Sequence, residues 1–280
     1  MSGDGPVVTR CAVLGSPIAH SLSPVLHRAA YVELGLDWSY DAVEVDEARL
    51  AAFVEGLDPT WRGLSLTMPL KRTVLPLLDE VSEQAALAQA ANTVVLDAGR
   101  RVGHNTDIPG IVEAFLEVRP TELTTVTVLG GGATAASAAL AAATLGFPYL
   151  VLAVRNPLRV AQTLAAVARH PTPPEVRVVR LEDLTDEPCD LLVSTIPATA
   201  QDRRVRACAE QAGVVFEALY DPWPTPVARA ATGAGRPLVS GLDLLVHQAV
   251  LQVELMTGLP GPLATMRAAG QAALDARSTT

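Results

Sequence analysis

The sequence predicts an α/β protein of two domains, each a sheet flanked by helices, with a cleft between them. Three observations lead there. Short apolar runs alternate with helix-period segments nearly throughout, the signature of a mainly parallel sheet covered by helices. The alternation breaks at "RPTELT" (119–124) and restarts at Val126. From Leu242 onward two helical segments follow without a strand, so this tail must pack on another part of the chain, most simply the first domain. The expected division is 1–107 with 241–280 for a discontinuous first domain and 108–240 for the second.

In the first domain "CAVLG" (11–15) is a strand, and Ser23 opens a helix as a capping hydroxyl with Pro24 in the first turn. "WSYDAVEV" (38–45) is the next strand. Asp46 begins a second helix, and "GLSLT" (63–67) runs into a helix behind Pro69. "ANTVVLD" (91–97) and "RRVGHNT" (100–106) bracket the turn "AGR" as a hairpin. A helix then covers about Ile108 to Val118. In the second domain "VTVLGGGATAASAALAAATLG" (126–146) is strand, glycine turn and Ala-rich helix. "PYLVLAV", "EVRVVR", "DLLVSTIP", "GVVFEALY" and "PLVSG" are five further strands.

Composition narrows the function classes. A chain of 280 residues is long enough for two cores. A formal charge of −9 argues against broad nucleic-acid binding, so any anionic ligand must be held by local groups. No apolar run approaches the roughly 20 residues that span a bilayer, and the start "MSGDGPVVTR" has no secretory pattern. Three scattered cysteines suit a reducing cytosol, and the five histidines show no metal-ligand spacing with them. The expectation is a cytoplasmic protein, monomer or homodimer, with a small-molecule partner, no metal, no nucleic acid and no membrane.

Lys71, in "LTMPLK", is the only lysine; the other 20 basic residues are arginine. A solvated charge could be either type. Proton transfer cannot, because a guanidinium stays protonated whereas an ammonium can give up its proton near neutral pH. The lone lysine is therefore a candidate acid–base group.

Gly130, Gly132 and Ala135 fit G-x-G-x-x-G/A between a strand and a helix, where backbone N–H groups can meet a pyrophosphate. The cofactor-binding candidates at this turn are Gly130, Gly131, Gly132 and Ala133. At the end of the following strand, "AVRNPLR" places Arg155 and Arg159 where an NAD site usually has a carboxylate. Arginine there suits a 2′-phosphate, hence NADP and a Rossmann-like second domain. Three polar clusters end strands of the first domain, where open α/β sheets bind ligands. Ser21 and Ser23 could hold a carboxylate, although Ser23 also reads as an N-cap. Thr67 and Lys71 form the second cluster. Asp107 forms the third, and could instead simply cap its helix. Asn92 adds an amide at a strand start.

Together these stretches resemble the shikimate dehydrogenase family. Gly15–Pro24 matches G-x-P-I-x-H-S-x-S-P, "SLTMPLK" matches N-V-T-x-P-x-K, and "AANT" and "GHNTDIPG" match A-x-N-T and G-x-N-T-D-x-x-G. The glycine turn, the strand-end arginine, "YDPWPTP" and "GLDLLVHQ" complete the order, from about Val13 to Gly258. The resemblance implies NADPH-dependent reduction of 3-dehydroshikimate to shikimate, with Lys71 and Asp107 as the catalytic pair. It implies Ser21 and Ser23 on the substrate carboxylate, and Thr67, Asn92, Asp107, Tyr220 and Gln248 around the ring hydroxyls. It places Thr195 against the cofactor and Gly241 beside the nicotinamide. Tyr220 could otherwise be a core aromatic at a strand end. Ser65 stands in place of the motif asparagine, Val154 and Asn156 flank Arg155, "STIPATA" lacks the usual asparagine and glycine, and Glu217 replaces an aspartate. Two other readings stand beside the main one. One is a quinate or aminoshikimate dehydrogenase of the same family; a preference for NAD would favour quinate, and Arg155 with Arg159 leans against it. A non-catalytic sensor of shikimate-like ligands is opposed by the complete Lys71–Asp107 pair.

Overall fold

The computed structural model describes residues 8–118 and 123–278, with the side chains of Arg159 and Ser278 outside that description. Its contacts divide the chain into two compact units, Met1–Thr106 with Gln248–Thr280, and Asp107–His247. Among the described residues no helix is long and apolar enough to cross a membrane. The break at 119–124 lies mostly outside the described residues.

The first unit contains β1 (Thr9–Gly15), α1 (Ser23–Glu33), β2 (Trp38–Glu44), α2 (Glu47–Glu55), β3 (Trp61–Leu66), α3 (Leu70–Thr73), β4 (Glu80–Val81), α4 (Glu83–Ala88), β5 (Thr93–Asp97) and β6 (Arg100–His104). The sheet order is β2-β1-β3-β5-β6-β4. β1 pairs in parallel with both β2 and β3, whereas β5 runs antiparallel to β3 and β6. The hairpin turns through Ala98 and Gly99, both at positive φ (49° and 79°), the geometry a two-residue turn needs. β1 is apolar because both its faces are covered. Ala12 and Leu14 join a core with Leu50, Leu64, Leu66 and Leu70, while Cys11 and Val13 face Tyr31, Tyr40 and Met256. Each fully buried leucine contributes about 1.5–3 kcal/mol.

Two local expectations meet different outcomes. Asp46 caps α2 by accepting from the Arg49 N–H at 2.9 Å. Ser23 does not cap α1: it is the first helical residue, and Leu22, which has no capping side chain, occupies the N-cap position. Leu22 already has right-handed helical angles (φ −89°, ψ −7°), so the turn begins one residue early. Ser21 Oγ instead accepts the Ser23 N–H at 3.3 Å.

The second unit opens with α5 (Asp107–Glu117) and continues through β7 (Thr125–Leu129), α6 (Ala133–Leu145), β8 (Tyr149–Val154), α7 (Ala161–Ala168), β9 (Glu175–Arg180), β10 (Leu191–Ser194), α8 (Arg203–Gln211), β11 (Val214–Glu217), α9 (Pro226–Gly233) and β12 (Leu238–Val239). Its sheet, in the order β12-β11-β10-β7-β8-β9, is parallel at every pairing. This is the doubly wound order, with its topological switch between β7 and β10. Alanine builds α6 for two reasons: it is the best helix former, and its small side chain lets the helix bury nearly its whole circumference. Ala135, Ala136, Ala138, Ala139, Ala141, Ala142 and Ala143 are all buried. Gly146, at φ 88°, ends the helix in the left-handed conformation.

Two helices, α10 (Gly241–Thr257) and α11 (Leu263–Ser278), close the chain. The joint between the units falls within α10, between His247 and Gln248. Its first turns belong with the second unit, where His247 Nε2 lies 3.1 Å from Glu117 Oε1. Its later turns belong with the first. A Cβ on Gly63 would meet the Met256 side chain at 2.7 Å, so β3 and α10 touch through a missing side chain.

Candidate active site

The first unit brings four chain segments to one sheet edge. Parallel β1 and β3 end there, at Gly15 and Leu66, antiparallel β5 begins there at Thr93, and β6 ends beside it at His104. Thr67 N–H donates to the Leu14 carbonyl at 2.9 Å, and Ser16 N–H to the Met68 carbonyl at 3.1 Å. Gly15 is required for this approach, because a Cβ would overlap the Thr67 methyl and lie 2.9 Å from the Met68 oxygen. Leu66 N–H donates to the Asn92 carbonyl at 2.7 Å, and Ala91 N–H to the Lys71 carbonyl at 2.7 Å. The backbone of the lone lysine is thereby fixed to the segment carrying Asn92. Thr67 and Lys71 are half-buried.

Asn92, 1% exposed, is held from both ends of its amide. Its Nδ2 donates to Thr106 Oγ1 at 2.9 Å and Gln248 Oε1 at 3.3 Å, and its Oδ1 accepts from the Thr106 N–H at 2.8 Å and Thr93 Oγ1 at 2.9 Å. Asp107, the residue after Thr106, is buried and is the first of α5.

Beneath this edge lies a polar network absent from the sequence reading. Gln252, one helical turn beyond Gln248, is 1% exposed. Its Nε2 donates to Thr93 Oγ1 at 3.0 Å, and its Oε1 accepts from Ser65 Oγ at 2.8 Å. Ser65 in turn accepts from Tyr40 Oη at 2.6 Å. His27 Nε2 lies 3.2 Å from Gln252 Oε1, which assigns the proton to Nε2, and its ring stacks on Tyr40 at 3.9 Å. Burial pushes His27 down to about 3, opposed by the Gln252 bond, so the ring is neutral at physiological pH. The only sequence signal for Gln252 is a second polar residue at helical spacing. His27 and Tyr40 gave none.

The second unit shapes its edge by omission of side chains. Gly130 has φ 119°, and a Cβ there would overlap Thr195 Oγ1. Thr195 Oγ1 donates to the Leu129 carbonyl at 2.7 Å, so β7 and β10 part at the switch point with Gly130 and Thr195 in contact. A Cβ on Gly131 would meet Val160 at 2.9 Å. Gly132 is different: it has an ordinary φ of −84°, and a Cβ would meet nothing within 4 Å. Neither strain nor protein packing asks for glycine at 132, and the space within 4 Å of its missing Cβ, next to the start of α6 at Ala133, is open. That fits a dinucleotide pyrophosphate. Arg155 is exposed at the C-terminal end of β8, with no ion-pair partner among the described residues. The Arg159 side chain lies outside the described residues.

The Tyr220 segment follows β11. Glu217, fully buried, accepts at Oε2 from Gln201 Nε2 at 2.7 Å and Thr225 Oγ1 at 2.8 Å, and at Oε1 from the Leu219 N–H at 3.1 Å. Desolvation pushes this carboxyl up, against the lowering effect of those bonds. Gly241 has a local reason of its own: a Cβ would lie 2.5 Å from the Leu219 carbonyl. The thiols offer no nucleophile, since burial raises Cys11, Cys189 and Cys208 to about 11.

Residues 13–94 match the family described as shikimate dehydrogenase substrate binding domain, and residues 241–269 match the shikimate 5'-dehydrogenase C-terminal domain. The shikimate dehydrogenase (NADP(+)) of Desulfitobacterium hafniense is 34% identical, covering 94% of this chain and 97% of its own. The crystal structure of Mycobacterium tuberculosis shikimate dehydrogenase superposes with a TM-score of 0.85 at 38% identity, over 94% of this chain and 99% of that one. Quinate dehydrogenase from Corynebacterium glutamicum, solved with NAD, gives 0.82 at 30% identity over 95% and 99%.

Proposed function

The chain belongs to the shikimate dehydrogenase family, and from that membership we propose that it catalyses the NADPH-dependent, reversible reduction of 3-dehydroshikimate to shikimate. The observation that supports this reading is the first unit's sheet edge, where Asn92 and Gln248 are hydrogen-bonded at 3.3 Å and the backbone of Lys71 is tied to Ala91, the residue before Asn92. Such a set suits a polyhydroxylated ring acid. Ser21 and Ser23 take the carboxylate without placing a second cation near the lysine, and Tyr220 adds a phenol to the ring hydroxyls.

NADPH, when bound, supplies the hydride. The backbone of Gly130, Gly131, Gly132 and Ala133 would hold its pyrophosphate, and Arg155 and Arg159 would hold its 2′-phosphate. Thr195 and Gly241 border the cofactor. Lys71 Nζ gives a proton to the substrate oxygen as the carbonyl is reduced and takes it back in the reverse direction. Asp107 is the second member of the proposed catalytic pair, a carboxylate whose charge favours the ammonium form. A general acid of this kind contributes about 10²–10⁴ in rate.

A second reading, quinate oxidation with NAD, is favoured by the likeness to the quinate dehydrogenase. The strand-end arginine weighs against it. Initial rates with shikimate and quinate, each against NADP and NAD, decide between them. The main reading expects rapid turnover only with shikimate and NADP. Turnover confined to quinate and NAD would overturn it, and shikimate binding without turnover would point to a sensor.

A further inference from the structure

The segment 218–225, between β11 and α9, carries Tyr220 and has no regular structure of its own. Both its ends are tied to the same carboxylate. Leu219 N–H donates to Glu217 Oε1 at 3.1 Å near the start, and Thr225 Oγ1 donates to Oε2 at 2.8 Å at the end. Thr225 is also the N-cap of α9, accepting from the Ala228 N–H at 3.1 Å. Gln201 completes the tie, donating from Nε2 to Glu217 Oε2 at 2.7 Å and accepting the Val227 N–H at 3.0 Å. On its other side the Leu219 carbonyl is packed on Gly241. The peptide that precedes Tyr220 is therefore held at its N–H by Glu217 and backed at its carbonyl by the first residue of α10.

A buried carboxylate is costly unless every lone pair it presents is matched. One that only filled space in a core would be replaced by an apolar group at a gain. Two of the donors to Glu217, Leu219 and Thr225, belong to the Tyr220 segment; a third, Gln201, also anchors the start of the helix after it, and Ser194 at the end of β10 adds a further bond. We propose that Glu217 is a positioning residue of the reaction: its carboxylate clamps the 218–225 segment at both ends and so sets where Tyr220 presents its hydroxyl, with Gln201 as the clamp's second arm. This inference rests on the proposed substrate role of Tyr220.

Glutamine tests the clamp because it keeps the shape and removes one acceptor oxygen. Glu217→Gln can satisfy Leu219 or the Gln201–Thr225 pair, but not both. The expected result is a rise in the KM for shikimate of about tenfold, the worth of one neutral hydrogen bond at the upper end of its range, with the KM for NADP and kcat little changed. Tyr220→Phe should give a similar rise, and the double variant no more than either alone, since both remove one interaction. Hydrogen exchange at the Leu219 and Val227 amides should quicken in Glu217→Gln and slow again in the swapped pair Gln201→Glu/Glu217→Gln, where the bond between the two side chains re-forms with reversed polarity. Additive effects of Glu217→Gln and Tyr220→Phe, or unchanged exchange at Leu219, would overturn the proposal. The exchange measurement reads the clamp without turnover. A wild-type chain inactive on shikimate would therefore sink the proposed reaction while leaving the clamp to be judged separately.

Discussion

The two units prepare equivalent places, the C-terminal edge of a parallel strand pair, by opposite means. In the first unit the edge is built from side chains. Asn92, Thr93, Thr106, Gln248, Gln252, Ser65, Tyr40 and His27 form one buried network in which amide orientation and tautomer are fixed by partners. In the second, the edge is built from side chains left out. Gly130 permits the turn and the Thr195 contact, and Gly132 leaves open space before a helix. The difference matches what each edge is proposed to bind. A ring with several hydroxyls needs direction-specific donors and acceptors, and a pyrophosphate needs backbone N–H groups and room.

Breaking either edge should therefore leave different marks. The largest effect is expected from Gly130→Val, which adds a β-branched side chain at φ 119° against Thr195. A loss of about 3 kcal/mol or more in the stability of the second unit, or a comparable loss of NADP affinity, should appear in thermal unfolding and cofactor titration. Gln252→Leu comes next. It leaves the Ser65 hydroxyl proton and the His27 N–H without an acceptor in a buried site and removes the amide donor to Thr93 Oγ1, at a cost of about 2–4 kcal/mol. Denaturant unfolding should show this, together with a raised KM for shikimate and an unaltered KM for NADP. If the NADP constant moved as much, the two edges would not be separately built.

How far these edges could be read in advance depended on how local their causes are. The glycine turn, the hairpin at Ala98–Gly99 and the Asp46 cap are each dictated by residues within a few positions of one another, and all were legible. The network was not. His27 meets Gln252 across 225 positions and Ser65 meets it across 187, and no periodicity links such partners. β4, at two residues, is too short to show a pattern at all. Ser23 illustrates a smaller limit: a serine before a proline looks like a cap, and only the backbone angles of Leu22 reveal that the helix has already begun. The likeness to a family supplied the candidate roles of Tyr220, Gln248 and Gly241, which local chemistry alone left open.

Two smaller effects sharpen the comparison. Arg155→Ser should raise the KM for NADP about tenfold and leave the KM for NAD nearly unchanged, because one charge-assisted bond to a 2′-phosphate is lost. Equal changes for both cofactors would remove the phosphate role. His27 gives the first unit a pH signature. Its folded value of about 3 lies below the ordinary 6.5, so the unfolded chain takes up the proton first. The stability it secures is complete above pH 6.5 and is lost as pH falls toward 3, by at most about 1.4 kcal/mol per unit. Urea midpoints between pH 7 and 4 should fall less steeply in His27→Leu than in the unaltered protein.

The most direct test of the account concerns the lone lysine. Lys71→Arg keeps the positive charge and removes the group that can give up a proton. The measurement is kcat at saturating shikimate and NADP, with shikimate binding followed by calorimetry on the same samples. A fall in kcat of about 10²–10⁴ with shikimate affinity changed only a few-fold is the predicted result. An arginine variant that turned over at the unaltered rate would contradict the assignment of Lys71 as the proton-transfer group.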